Sequence, residues 1–172
     1  MRGFYFLTLF FILFSGVSQS SETIRFIDIN YIVNNSEAGI ALNKIIENKS
    51  KTIESDINDL AKKLEDKKNK IVSQKNILKK DEFDKLVMNY DKELKNFNEL
   101  RKKKKIDFDE FRINSSKKIL DLLNPIIRIF LKDKSIKILL QKEKIIFADD
   151  SLDITKEILE LFNKKHKKIK FE

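Results

Sequence analysis

The chain has 172 residues, with 36 Lys and Arg against 27 Asp and Glu, no Cys, no Trp, one Pro, one His and three Gly. The absent cysteines exclude disulfides and Cys-ligated zinc, and a single imidazole, His166 in a run of lysines, excludes His triads and His metal clusters. So few Gly and Pro speak against many-stranded sheets and Gly-rich-loop enzymes, and for long helices.

The first segment reads as an address. Met1-Arg2 is a short positive region, Phe4 to Phe14 is a continuous apolar run, and small residues follow at Ser18 and Ser20. This is the layout of a secretory signal peptide over residues 1–20, cut after Ser20 or Ser18. The run is short for a bilayer, which needs ~20 apolar residues; an uncleaved anchor is the alternative. Export to the periplasm is the expectation, and there chromosomal DNA is no partner. The net charge of +9 does not restore a nucleic-acid reading, because Lys, Ile and Asn richness also follows from A/T-rich coding.

The mature chain opens with a strand, residues 24–29, and a cap, Asn35-Ser36-Glu37. A long helix follows to about Lys79, with seam residues Ile46, Ile53, Ile57, Leu60, Leu64, Ile71 and Leu78; Ser50, Lys67 and Gln74 interrupt the seam. Residues 79–82 mark a tip, where Asp81 can cap a second helix. Its seam holds Phe83, Val87, Tyr90, Leu94, Phe97, Phe108 and Phe111, with Arg101 and Lys104 as polar breaks. Two such helices joined by a tight turn make an antiparallel hairpin, an arm over residues 37–131 that reaches about 60 Å and protrudes. Pro125 is expected to kink or break the second helix.

The return segment reads as a β-hairpin of strands 136–140 and 144–148, then a turn through Asp149–Asp153 and a closing amphipathic helix over about 153–167. The fold class is therefore mainly α with a small β head. That head is split, residues 21–36 with 132–172, and the arm is inserted between its halves. Three short strands and one helix are too little to bury a self-sufficient core, so the head is expected to oligomerise.

Taken in order, the strand IRFIDINYIV, the Lys/Glu/Asn-rich hairpin, Pro125 at its return and the block from Ile138 (ILLQKEKIIFADDSLDITKEIL) resemble the Skp/OmpH family of periplasmic chaperones. The resemblance covers the whole mature chain. It implies a homotrimer whose heads share a β-barrel, with Ile24, Phe26, Ile138, Leu140, Ile146 and Phe147 in the oligomerisation core. It also implies three arms around a cavity that holds unfolded outer-membrane β-barrel proteins in transit, without ATP and without a cofactor. The run Arg101-Lys102-Lys103-Lys104-Lys105 does not match the family's lipopolysaccharide-binding cluster residue by residue.

Residue chemistry points the same way. The carboxylate pairs Asp149/Asp150 and Asp109/Glu110 are adjacent and point apart, with no pocket to converge on, so the chain is not expected to be an enzyme. The cationic excess is on the arm, where residues 41–131 hold 23 Lys and Arg against 16 Asp and Glu. It is either an ordinary solvated coiled-coil face or a device for capturing anionic clients, an anionic membrane surface or lipopolysaccharide. Leu86 and Leu100 lie off the seam, as do Ile106, Ile113 and Leu120. With Ile77 near the tip, and with Lys102, Lys103, Lys104 and Lys105, Leu86 and Leu100 are the candidate client contacts. The competing reading is a structural or adaptor coiled coil of the envelope.

Overall fold

A computed structural model describes residues 23–171; the signal segment lies outside the described residues. The order is β1 (Thr23–Ile27), α1 (Ile29–Asn35), α2 (Glu37–Gln74), α3 (Lys80–Asp133), β2 (Ile136–Gln141), two short 3-10 turns (Lys142–Lys144 and Asp150–Leu152) and α4 (Thr155–Lys165). Helices α2 and α3 form the arm. The core sits where α1, the first turns of α2, the last part of α3 and α4 meet, around Ile27, Ile32, Leu42, Ile119, Leu123, Ile158 and Phe162.

The strand stops earlier than its apolar pattern suggests. Asp28 accepts from the Tyr31 amide at 2.7 Å and caps α1, and Ile29, Ile32 and Val33 then follow helical spacing. Single-residue Ser36 joins α1 to α2. It is fully buried, and its hydroxyl accepts from the Gly39 amide at 3.1 Å, so the expected cap is present. Gly39 is required by contact, because a Cβ there would lie 1.7 Å from the Val33 carbonyl oxygen.

Three further expectations are corrected. The described residues contain no strand over 144–148, and hence no β-hairpin: Lys142–Lys144 form a 3-10 turn, and Ile145 to Asp149 run on without ladder partners. Segment β2 pairs instead with β1, in parallel, in a two-stranded sheet. Parallel strands need a long crossover, and the entire arm serves as that crossover. Pro125 does not break α3, which runs continuously from Lys80 to Asp133. Pro125 itself is exposed, while the neighbouring Leu123, Ile126 and Ile127 are buried in the core, and that packing holds the turn. The tip turn falls at residues 75–79, just before the expected 79–82, and Lys79 caps α3 without a side-chain bond while Asp81 and Glu82 occupy its first turn.

The chain leaves α3 through Ser135, the one non-glycine residue with positive φ among those described, at 53°. An L-residue there costs roughly 1–2 kcal/mol. Ser135→Gly should therefore raise stability by about 1 kcal/mol. Gly39→Ala should lower it by an amount at or above the upper end of the ~1–3 kcal/mol range for overpacking. Thermal unfolding of both variants beside the parent checks the opposite signs.

Candidate functional site

The arm's register is set by contacts that step equally along both helices. Lys49 Nζ lies 4.7 Å from the Phe111 ring centroid, Lys104 Nζ is 3.7 Å from Asp56, and Lys67 Nζ is 2.5 Å from Glu93. The intervals are 7 and 11 residues on α2 and the same on α3, so the helices run antiparallel without a slip. Between these ties Ile53, Ile57, Leu60, Leu64, Phe97 and Phe108 are half-buried, and beyond the last of them Ile71 is buried. Two of the polar interruptions are thus paired across the seam, Lys67 with Glu93 and Lys104 with Asp56.

The seam is not filled. A gap of about 380 Å³ opens beside Leu60, Leu64, Phe97 and Leu100, and the Lys67–Glu93 pair lines the same gap. Leu100 is partly exposed at its edge, Leu86 is half-buried, and Ile77 is almost bare at 79 % exposure. Val72 and Met88 add exposed apolar surface toward the tip. The lysine run winds around α3 and does not share one face. Lys104 turns into the seam toward Asp56, while Lys102, Lys103 and Lys105 remain exposed. A run of adjacent helical residues spreads over 100° steps, so this division was legible from the seam register.

The head presents a second apolar face. Ile24, Ile138 and Leu140 project from β1 and β2 at about 40 % exposure, and Ile146 and Phe147 are fully uncovered. Phe26 differs from this set. It is buried within the single chain, beneath the Lys142 ammonium, which lies 5.7 Å from its ring centroid.

The block Asp149–Thr155 proves to be a knot that sequence reasoning identified without seeing its job. The Ile154 amide donates to the Phe26 carbonyl at 3.0 Å, on the side of β1 away from β2. The Thr155 hydroxyl accepts from the Asp28 amide at 2.8 Å and donates to Asp153. Asp153 also accepts from the Thr155 amide at 2.9 Å and from Lys142 at 3.0 Å. Burial works to raise the Asp153 carboxyl, but the Thr155 hydroxyl and amide and the Lys142 ammonium outweigh it and hold the group below its usual range. Lys142 is raised in turn, chiefly by its hydrogen bond to Asp153. Asp149 is lowered by the Ser151 hydroxyl and amide. No group of metal-ligating side chains occurs among the described residues, and no helix among them is long and apolar enough to cross a membrane.

A carboxyl lowered by folding stabilises the fold at pH above its unfolded value, and that contribution is lost as pH falls through the folded value. The Asp153 knot should therefore hold at neutral pH and fail in acid. Melting temperatures taken downward from neutrality should fall more steeply for the parent than for Asp153→Asn once pH drops below about 4.

Two comparisons place this architecture. Residues 23–162 match the profile of the family described as outer membrane protein (OmpH-like). The fold is similar to the crystal structure of a protein from Caulobacter crescentus described as an OmpH-like outer membrane chaperone: the TM-score is 0.81 at 13 % identity, covering 87 % of this chain and 89 % of that one. Comparison with curated protein sequences returned no match.

Proposed function

The chain belongs to the OmpH-like family of outer membrane proteins, a family of periplasmic, non-enzymatic chaperones, and we propose that it is an ATP-independent holdase whose arms enclose unfolded outer-membrane β-barrel proteins. The observation that carries this reading is the arm itself. Helix α2 alone spans about 57 Å over its 38 residues, with one narrow, incompletely packed seam and with apolar side chains left bare toward the tip. Bare apolar groups amid solvated cations suit a client that is extended, partly apolar and anionic in places. Leu86, Leu100 and Ile77 supply the apolar contacts, and Lys102, Lys103 and Lys105 the attraction; Lys104 contributes to the seam.

The head completes the proposal. A sheet of two short strands is marginal in water, and here its apolar side chains Ile24, Ile138 and Leu140 stay partly exposed beside the uncovered Ile146 and Phe147. Three copies closing their strands into one barrel cover this face and set three arms around a common cavity. Phe26, opposite Leu140 in the sheet, is already buried within one chain and adds no exposed surface to that barrel. The signal segment delivers the chain to the periplasm, where the clients pass.

Deleting residues 57–70 together with 90–103 removes two heptads from each helix, in register, and leaves the head untouched. Light scattering should report three chains for both parent and shortened protein. Only the parent should keep an unfolded β-barrel protein from aggregating; full protection by the shortened protein would move client binding to the head.

The exposed lysines should act on capture rate more than on final affinity, since their field reaches only about 8–10 Å at physiological salt. Lys102, Lys103 and Lys105 changed together to Gln should slow association with an unfolded barrel several-fold at low salt, with a smaller change in dissociation. Stopped-flow rates for the two proteins should converge near molar salt. Equal rates at low salt would reduce the run to a solvated helix face.

A further inference from the structure

The last turn of α4 and the residues after it reach both helices of the arm. Asn163 Oδ1 accepts from the amide of Glu37, the first residue of α2, at 2.9 Å. The Lys170 carbonyl accepts from Lys118 Nζ of α3, also at 2.9 Å. Between these two ties the chain leaves its helix at His166, whose ring centroid lies 5.3 Å from that of the fully buried Phe162. Ile169 and Phe171, both half-buried, then pack against the core. All of these residues from Asn163 onward lie beyond residue 162, where the family profile ends.

Both ties fall at the root of the arm. The register that sets Lys49 on Phe111 places Lys118 level with Leu42, which is buried in the core, and Glu37 lies just before it on α2. Ile46 and Phe111 are the outermost arm side chains packed against that core. The first amides of a helix have no partner within it, so Asn163 fills an orphan position on α2. An exposed hydrogen bond is weak by itself. The apolar contacts of Ile169 and Phe171 therefore hold the segment in place, and the two ties give it direction. Small rotations at the root matter, because α2 is a lever of about 57 Å over its 38 residues and each degree carries the tip about 1 Å.

We propose that residues 163–171 are a brace that sets the angle of the arm on the head, with Asn163 and Lys118 as positioning residues and Ile169 and Phe171 as anchors. One segment that grips both helices opposes their joint rotation about the core, which a contact to either helix alone would not. The brace needs no client and stands apart from the holdase reading; only its consequence, a fixed opening between arms, rests on that reading.

The chain has no Cys, so Lys62→Cys on the arm and Lys156→Cys on α4, both exposed, supply one pair of spin labels. Labelled mature chains are co-refolded with an excess of unlabelled ones, so that double electron–electron resonance reads distances within one chain. Residue 62 stands about 38 Å along α2 from Glu37, and about ten degrees of added freedom at the root would move it roughly 7 Å. Ile169→Ser with Phe171→Ser should broaden the distance distribution by about that amount, and Asn163→Ala with Lys118→Ala should broaden it less. Phe171→Leu, which keeps an apolar anchor, should give the parent's width. Helical circular dichroism and mass by light scattering should match the parent in every variant. All distances are read without client, so an arm that holds no client would leave the result intact. A parent-like width in the anchor variant or the tie variant would overturn the proposal. So would lost helix or a changed mass, which would make the segment part of the folding core or of a subunit contact.

Discussion

Both ends of the arm are held by one closure. On one side β1 pairs in parallel with β2; on the other, the Phe26 carbonyl takes the Ile154 amide at the entrance to α4. The central strand thus joins segments from opposite sides of the arm in sequence. Closing so long a loop is entropically slow and costly. The offset comes from the apolar core that the closure makes possible, in which Ile27, Ile32, Ile119, Leu123, Ile158 and Phe162 meet from three helices and a strand. The Asp28–Thr155–Asp153–Lys142 network fixes the geometry at the point where the two halves touch. Removing that closure would leave the arm without a base.

Away from the base, little enforces rigidity. The arm is two helices with a seam one or two side chains wide, a gap beside Phe97 and two cross-helix ion pairs. Those pairs are well solvated, and such bridges contribute roughly 0–1 kcal/mol each. Helical propensity and a few apolar layers therefore carry most of the arm's cohesion, and those layers thin out toward Ile77 and Met88. The client binding proposed for the arm would benefit from this arrangement, because a shallow energy surface would let it adapt to clients of different size.

Charge is distributed in two unlike ways. On the arm, lysines alternate with acids and spread around the helix, so they act as a field. After α4, Ile169 and Phe171 pack against the core, so Lys167, Lys168 and Lys170 are carried on anchored backbone.

The sequence by itself determined the arm. Seam spacings of 3, 4 and 7, the polar breaks at Lys67 and Lys104 and the absence of turn residues specify two long antiparallel helices, because helical periodicity is a local property that each turn repeats. It also determined the Ser36 cap, since a cap is read from neighbours in the chain. What only the tertiary structure decided is strand pairing and what it buries. Ile145-Ile146-Phe147 has the composition of a strand, yet a strand exists only with a partner, and the free edge of β1 went to β2 instead. Phe26 and Ile24 look equivalent by alternation, but one is buried, with Lys142 over its ring, while the other is left partly exposed. Pro125 likewise reads locally as a break and persists inside α3, because buried neighbours from distant segments supply the packing that a lone helix would lack.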